Sequence, residues 1–137
     1  MHIPIKDRSS YLKGLLVVAK KDNELHEREK DIIREIAKSL GFSPTFYEYT
    51  IKNLLSNEYI NDDPIIFSDK MIAKSFIIDG LRMAKSDNKL DDNEISWLRD
   101  TTLANGMDTK WFEQKLKETK SSPRLLEGTE FALYNLI

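Results

Sequence analysis

The sequence predicts an all-α protein of about seven helices, and three observations carry that prediction. Apolar residues recur at helical spacing along nearly the whole chain. Glycine and proline number only 5 and 4 among 137 residues, so few positions interrupt a helix. The chain also matches itself when slid by 65 positions, which divides it into two similar helical units. A length of 137 residues, with 40% hydrophobic and 32% charged residues, fits one globular domain with a single core spanning 1–137.

In the first helix Tyr11, Leu12, Leu15, Leu16, Val18 and Ala19 share an apolar stripe, with Ser9 or Ser10 as the expected cap and an end near Asp22 and Asn23. Ile32, Ile33, Ile36, Ala37 and Leu40 form the stripe of a second helix, which Gly41 stops. Ser43 and Pro44 are a good cap and first residue for a third, carrying Phe46, Tyr47, Ile51, Leu54 and Leu55. Asn61-Asp62-Asp63-Pro64 breaks the helical pattern, so 57–68 reads as a connector inside one domain. Ser68 is the expected cap of a fourth helix, whose stripe of Ile72, Ala73, Phe76, Ile77, Leu81 and Ala84 continues past Gly80 to Asp87 and Asn88. The fifth bears Ile95, Trp97, Leu98 and Leu103 and stops at Asn105-Gly106. Asp108 caps the sixth, with Trp111, Phe112 and Leu116. Ser122-Pro123 opens a seventh over 123–137, whose apolar end, Phe131 to Ile137, is expected to pack on the bundle; assembly with a second copy is the alternative.

The shift of 65 places Ala19-Lys20 on Ala84-Lys85, Asp22-Asn23 on Asp87-Asn88, Leu25 on Leu90 and Glu29 on Glu94. It continues with Arg34 on Arg99, Gly41 on Gly106 and Glu48 on Glu113, while Phe46-Tyr47 meets Trp111-Phe112. Each unit is thus helix, acidic turn, helix, glycine stop, helix, the first over about 10–56 and the second over about 69–119. Two such units are expected to pack about an approximate twofold axis as one bundle.

The recurring pattern Ala-Lys-x-Asp-Asn-x-Leu, followed by Glu and a helix closed by Gly, resembles the TerB-like domain, named for tellurite resistance protein B. The resemblance covers about residues 10 to 116, with Asn23 and Asn88 standing where the family usually has glycine. Asn tolerates the positive φ such a turn needs. The resemblance implies a helical module linked to tellurite or stress resistance, and a divalent cation held by paired acidic residues. Carried onto this chain, the ligands are Asp22, Glu29, Asp87 and Glu94.

Oxygen donors of this kind suit calcium or magnesium, with water or backbone carbonyls completing the shell. Zinc is disfavoured, because His2 and His26 are the only imidazoles and there is no cysteine. His26 aligns with Asp91, which marks it as a cap residue before a ligand. The same carboxylates have a structural reading. Asp91 with Glu94 is a capping-box variant with Leu90 and Ile95 as a staple, and Glu29 stands third in its helix, where it favours the helix dipole. An EF-hand fails on spacing, since counting from Asp22 or Asp87 puts Ile33 or Leu98 where a bidentate Glu is required.

Composition excludes further classes. The absence of cysteine removes disulfides, thiolate nucleophiles and iron–sulfur ligation. No apolar run approaches the roughly 18 residues of a membrane span. Met1 to Lys13 lacks the continuous apolar stretch of a secretory signal, so the expected compartment is the cytoplasm. Net charge is −2 without a dense basic block, so nucleic acid is not an expected partner. Lys20, Lys21, Lys85, Arg34 and Arg99 read as a solvated face or as a dock for an acidic partner, and Trp97 and Trp111 as core. No nucleophile with a neighbouring base and no phosphate-cradling glycine loop stands in the chain, and the His-Pro-Asp triplet of J-domain co-chaperones is missing. The expectation is a stand-alone, non-catalytic binding or scaffolding module with a protein partner and no certain cofactor. A metal-assisted hydrolase using the paired carboxylates and a purely structural oligomer are the alternatives.

Overall fold

The computed structural model describes residues 2–21, 24–56, 61–86, 91–119 and 131–137. Among them are six α-helices: α1 (Ile5–Lys20), α2 (Glu27–Ser39), α3 (Pro44–Lys52), α4 (Lys70–Ala84), α5 (Asp92–Ala104) and α6 (Thr109–Glu118). Two 3-10 turns, Leu54–Ser56 and Ala132–Asn135, complete the described structure, which contains no strand. The all-α expectation holds. No described helix is long and apolar enough to cross a membrane.

Helices α1 and α4 pack against each other at the centre. α2 lies against α1 and carries α3, and α5 lies against α4 and carries α6. The two central helices bury more residues than the others, and the core takes Tyr11, Leu12, Leu15, Leu16 and Val18 from α1 and Ile72, Phe76, Ile77 and Leu81 from α4. Burying each such aliphatic or aromatic side chain is worth about 1.5–3 kcal/mol. The close approach of α1 and α4 needs a residue without a side chain: a Cβ on Gly14 would lie 2.3 Å from Cζ of Phe76. Gly80 likewise lets α4 meet α5, since a Cβ there would lie 2.8 Å from Cδ2 of Leu98.

Helix ends follow local chemistry. Gly41 (φ 93°) and Gly106 (φ 81°) supply the left-handed residue after α2 and α5. Phe46 N–H donates to the Ser43 hydroxyl at 3.3 Å and Trp111 N–H to the Asp108 carboxylate at 2.8 Å, opening α3 and α6. The Asp91 carboxylate accepts from Asn93 and Glu94 N–H at 2.9 and 3.0 Å, opening α5.

Five expectations are corrected. α1 starts at Ile5 after Pro4, ahead of Ser9 and Ser10, because proline's fixed φ and missing N–H suit a helix start and Arg8 Nε ties back to the Ile3 carbonyl at 2.8 Å. Asp69, not Ser68, caps α4, accepting from Met71 N–H at 2.7 Å, while Ser68 donates both its N–H and its hydroxyl to the buried Asp7. Leu103 is about half exposed, since Thr101 and Thr102 occupy the inward positions of that turn of α5. Trp111 lies only partly buried at the core's edge, with Lys74 and Lys115 near its ring, whereas Trp97 is buried. The predicted seventh helix over 123–137 falls partly outside the described residues, and its described end is the 3-10 turn Ala132–Asn135. There Phe131, Leu133 and Leu136 pack on their own chain's core.

The connector has no regular secondary structure where described and is held by side chains from elsewhere. Asn105 accepts from Phe67 N–H at 2.8 Å and donates to the Ile65 carbonyl at 2.7 Å, which pairs it with the strap much as a neighbouring strand would. Trp97 Nε1 donates to the Asp62 carbonyl at 2.8 Å. Ile65 and Phe67 are thereby seated in the core.

Candidate functional site

Of the four acidic residues singled out from the sequence, Asp22 and Asp87 lie outside the described residues, as do Asn23, Asn88 and Leu90. Glu29 and Glu94 are described, and both stand in the first turn of their helices, α2 and α5. They are 2% and 3% exposed, unusual values for glutamates and alike in the two halves. Glu29 accepts from His26 N–H at 3.3 Å, the return half of a capping box, so it closes the start of α2 from inside the fold. Glu94 donates its N–H to Asp91, and its carboxylate turns inward behind that cap. Both carboxylates also gain from the positive end of the helix dipole.

A divalent cation needs oxygen donors, which glutamates supply, and it needs several of them at one point. The described residues contain no group of three or more His, Cys, Asp or Glu arranged to hold a metal ion. Glu29 and Glu94 are carboxylates of the donor type such an ion takes, and the other two candidate ligands lie outside the described residues.

Four of the basic residues, Arg34, Arg99, Lys85 and Lys21, make specific contacts within the fold. Arg34 Nε donates to Glu48 at 2.7 Å and Arg99 Nη2 to Glu113 at 2.9 Å, so each arginine ties the second helix of its half to the third. Arg34 also holds Asp31 at 2.9 Å, and these carboxylates raise the guanidinium's pKa further. Lys85 donates to the Leu116 and Thr119 carbonyls, occupying the acceptor-rich end of α6. Lys21 pairs with Asp62 at 3.0 Å and holds that carboxyl below its usual range. Nearby, Lys21, Asp62, Asn93, Trp97 and Asp100 line a polar depression of about 340 Å³ at the start of α5.

Sequence reasoning passed over the most deeply buried ionisable group described. Asp79, 0% exposed on α4, accepts from Tyr11 OH at 2.5 Å and from Ala132 and Leu133 N–H at 2.6 and 3.0 Å. Tyr11 OH shares a hydrogen bond with Ser75 Oγ at 2.9 Å, and Arg82 Nη1 approaches Asp79 at 3.7 Å. Burial pushes the Asp79 carboxyl up to about 6, against the pull of these donors, and burial with the neighbouring carboxylate drives the Tyr11 hydroxyl well above its ordinary value. This carboxylate anchors the carboxy-terminal 3-10 turn to the central helices. Its one sequence signal was a charged residue inside the apolar run Ile77-Ile78-Asp79-Gly80-Leu81, at the position where the first half has Gly14.

No curated protein and no solved structure matches the chain. The family model described as tellurite resistance protein TerB matches residues 2–50, running through α1, the first acidic stretch, α2 and most of α3, and it supports a TerB-like family for this chain.

Proposed function

We propose that the chain is a non-catalytic, TerB-like binding module whose two acidic stretches take one divalent cation, calcium or magnesium. The observation that carries this reading is the repeated placement of Glu29 and Glu94. Each is a buried carboxylate heading a helix directly after an acidic stretch, in two halves of different core composition. Glutamate oxygens are hard donors of the kind that calcium and magnesium take, and both halves place one at the same point, the first turn of the helix. In this reading the two halves are related by an approximate twofold that brings Asp22 and Glu29 towards Asp87 and Glu94. The cation then stiffens the bundle and alters how a neighbouring surface meets a protein partner.

The test is calorimetric titration of chelator-stripped protein with calcium, magnesium and zinc, following Trp97 fluorescence in parallel. Trp97 suits the purpose because it is buried one turn beyond Glu94. The expected result is saturable calcium or magnesium binding that the Asp22→Asn, Asp87→Asn double substitution abolishes. Heat and fluorescence flat to millimolar metal, or binding indifferent to that double substitution, sinks the cation and leaves the glutamates as caps.

A further inference from the structure

Away from the acidic stretches, a groove of about 490 Å³ opens beside α2, α3 and the 3-10 turn that follows α3. Its floor is apolar: Ile51 is buried, Leu25 partly so, and Leu55 stands 47% exposed although it belongs to the apolar stripe of that half. Its walls carry Lys30, Arg34 and Lys52 against a single carboxylate, Glu48. Arg34 already engages Glu48 at 2.7 Å, so the lysines set the charge that an incoming group meets. Lys30 reaches Glu27 at 2.9 Å, but Glu27 is exposed, and surface pairs of this kind are weak enough for an incoming carboxylate to replace.

The groove is positively charged in a chain of net charge −2, so its sign comes from placement and not from composition. The same pair of lysines does not recur in the second half. Lys52 has Lys117 as its counterpart, but Lys30 has Ile95, which is buried. An uncharged apolar ligand would desolvate two ammonium groups without return. An acidic segment with apolar anchors matches both floor and rim.

We propose that this groove binds an acidic amphipathic peptide segment of a partner protein, with apolar side chains over Leu25, Ile51 and Leu55 and carboxylates on Lys30 and Lys52. The proposal deepens the reading of the chain as a binding module and rests on it, though not on the cation. Run in chelator, its test is separate from the metal titration, and either can fail alone.

The probe is a fluorescein-labelled synthetic helical peptide with leucine at every third or fourth position and glutamate elsewhere, followed by anisotropy at low salt. A glutamate–serine and a lysine–leucine version accompany it. The glutamate–leucine peptide is expected to bind, and Lys30→Glu with Lys52→Glu to weaken it at least ~10-fold and transfer preference to the lysine–leucine peptide. Leu55→Asp, at an exposed position, is expected to weaken it similarly, and Lys117→Glu to leave it unchanged. Circular dichroism melts confirm that each variant is folded. The proposal is overturned by equal binding to wild type and the double reversal, by equal binding of the glutamate–serine peptide, or by no binding to millimolar peptide.

Discussion

The two halves keep the same ties and differ in what they pack against. Arg34–Glu48 and Arg99–Glu113 are equivalent ion pairs, Gly41 and Gly106 equivalent stops, and Ser43 and Asp108 equivalent caps. Among the inward positions at which the second half departs from the first, four turn polar. Gly14 becomes Asp79, Leu40 becomes Asn105, and Ile36-Ala37 becomes Thr101-Thr102. Asp79 receives the carboxy-terminal turn and Asn105 receives the connector, segments for which the repeat has no counterpart. Polar residues therefore enter this core where a non-repeated strand of backbone has to be held, because its N–H and C=O groups lack helical partners.

The sharpest way to break the comparison is at Asp79. Asp79→Ala strands two backbone N–H groups and the Tyr11 hydroxyl, and is expected to cost about 3–5 kcal/mol in urea unfolding. The same carboxyl gives the fold a pH dependence of defined sign. Its pKa in the folded protein, about 6, stands above the ordinary 3.8, so the folded state binds the proton more tightly. Its stabilising contribution is fully present below 3.8 and is lost as pH rises through 6. The stability of wild type relative to Asp79→Asn should therefore rise as pH falls from 7 to 4, by on the order of 3 kcal/mol. A difference that stays level, or falls, would show that the donors around Asp79 outweigh its burial.

The glycines come next. Gly14→Ala drives a Cβ into Phe76, whose ring is held at 5.4 Å from Tyr11 and 6.1 Å from Trp97, centroid to centroid. About 1–3 kcal/mol of destabilisation is expected. Gly80→Ala meets only the end of the Leu98 side chain, and its gain in helix propensity, about 1 kcal/mol, should bring it close to neutral. Equal losses in thermal melts would refute this contrast.

Asn105→Leu, which makes the second half resemble the first at Leu40, leaves Phe67 N–H and the Ile65 carbonyl without their side-chain partner, and is expected to cost about 1–3 kcal/mol. Hydrogen exchange should show the loss at Phe67 first, ahead of the α5 amides. The smallest effects belong to the shared ties. Arg34→Ala and Arg99→Ala should each cost less than about 1 kcal/mol, by similar amounts and less in high salt.

The helical stripes, both glycine stops and the caps at Ser43, Asp91 and Asp108 could all be read from the sequence, because each rests on residues within one turn of one another. The start of α1 was missed because Pro4 and the Arg8 tie to Ile3 outweigh the better side-chain caps at Ser9 and Ser10. Of the candidate site, the sequence located Glu29 and Glu94 but could not tell that both are buried. The groove at Leu55 was likewise hidden, since an apolar residue on a helical stripe reads as core until its exposure in the fold is seen.

By itself the sequence determined the fold class and the number and order of the helices before residue 119. These follow from backbone hydrogen bonds and apolar periodicity that span no more than a few residues. Tertiary structure alone decided that Asp7 holds Ser68, that Asp79 meets Tyr11 and the carboxy-terminal turn, and that Asn105 pairs with the connector. Each joins residues between 38 and 68 positions apart, and a buried polar group finds its partner only once packing has brought such distant segments together.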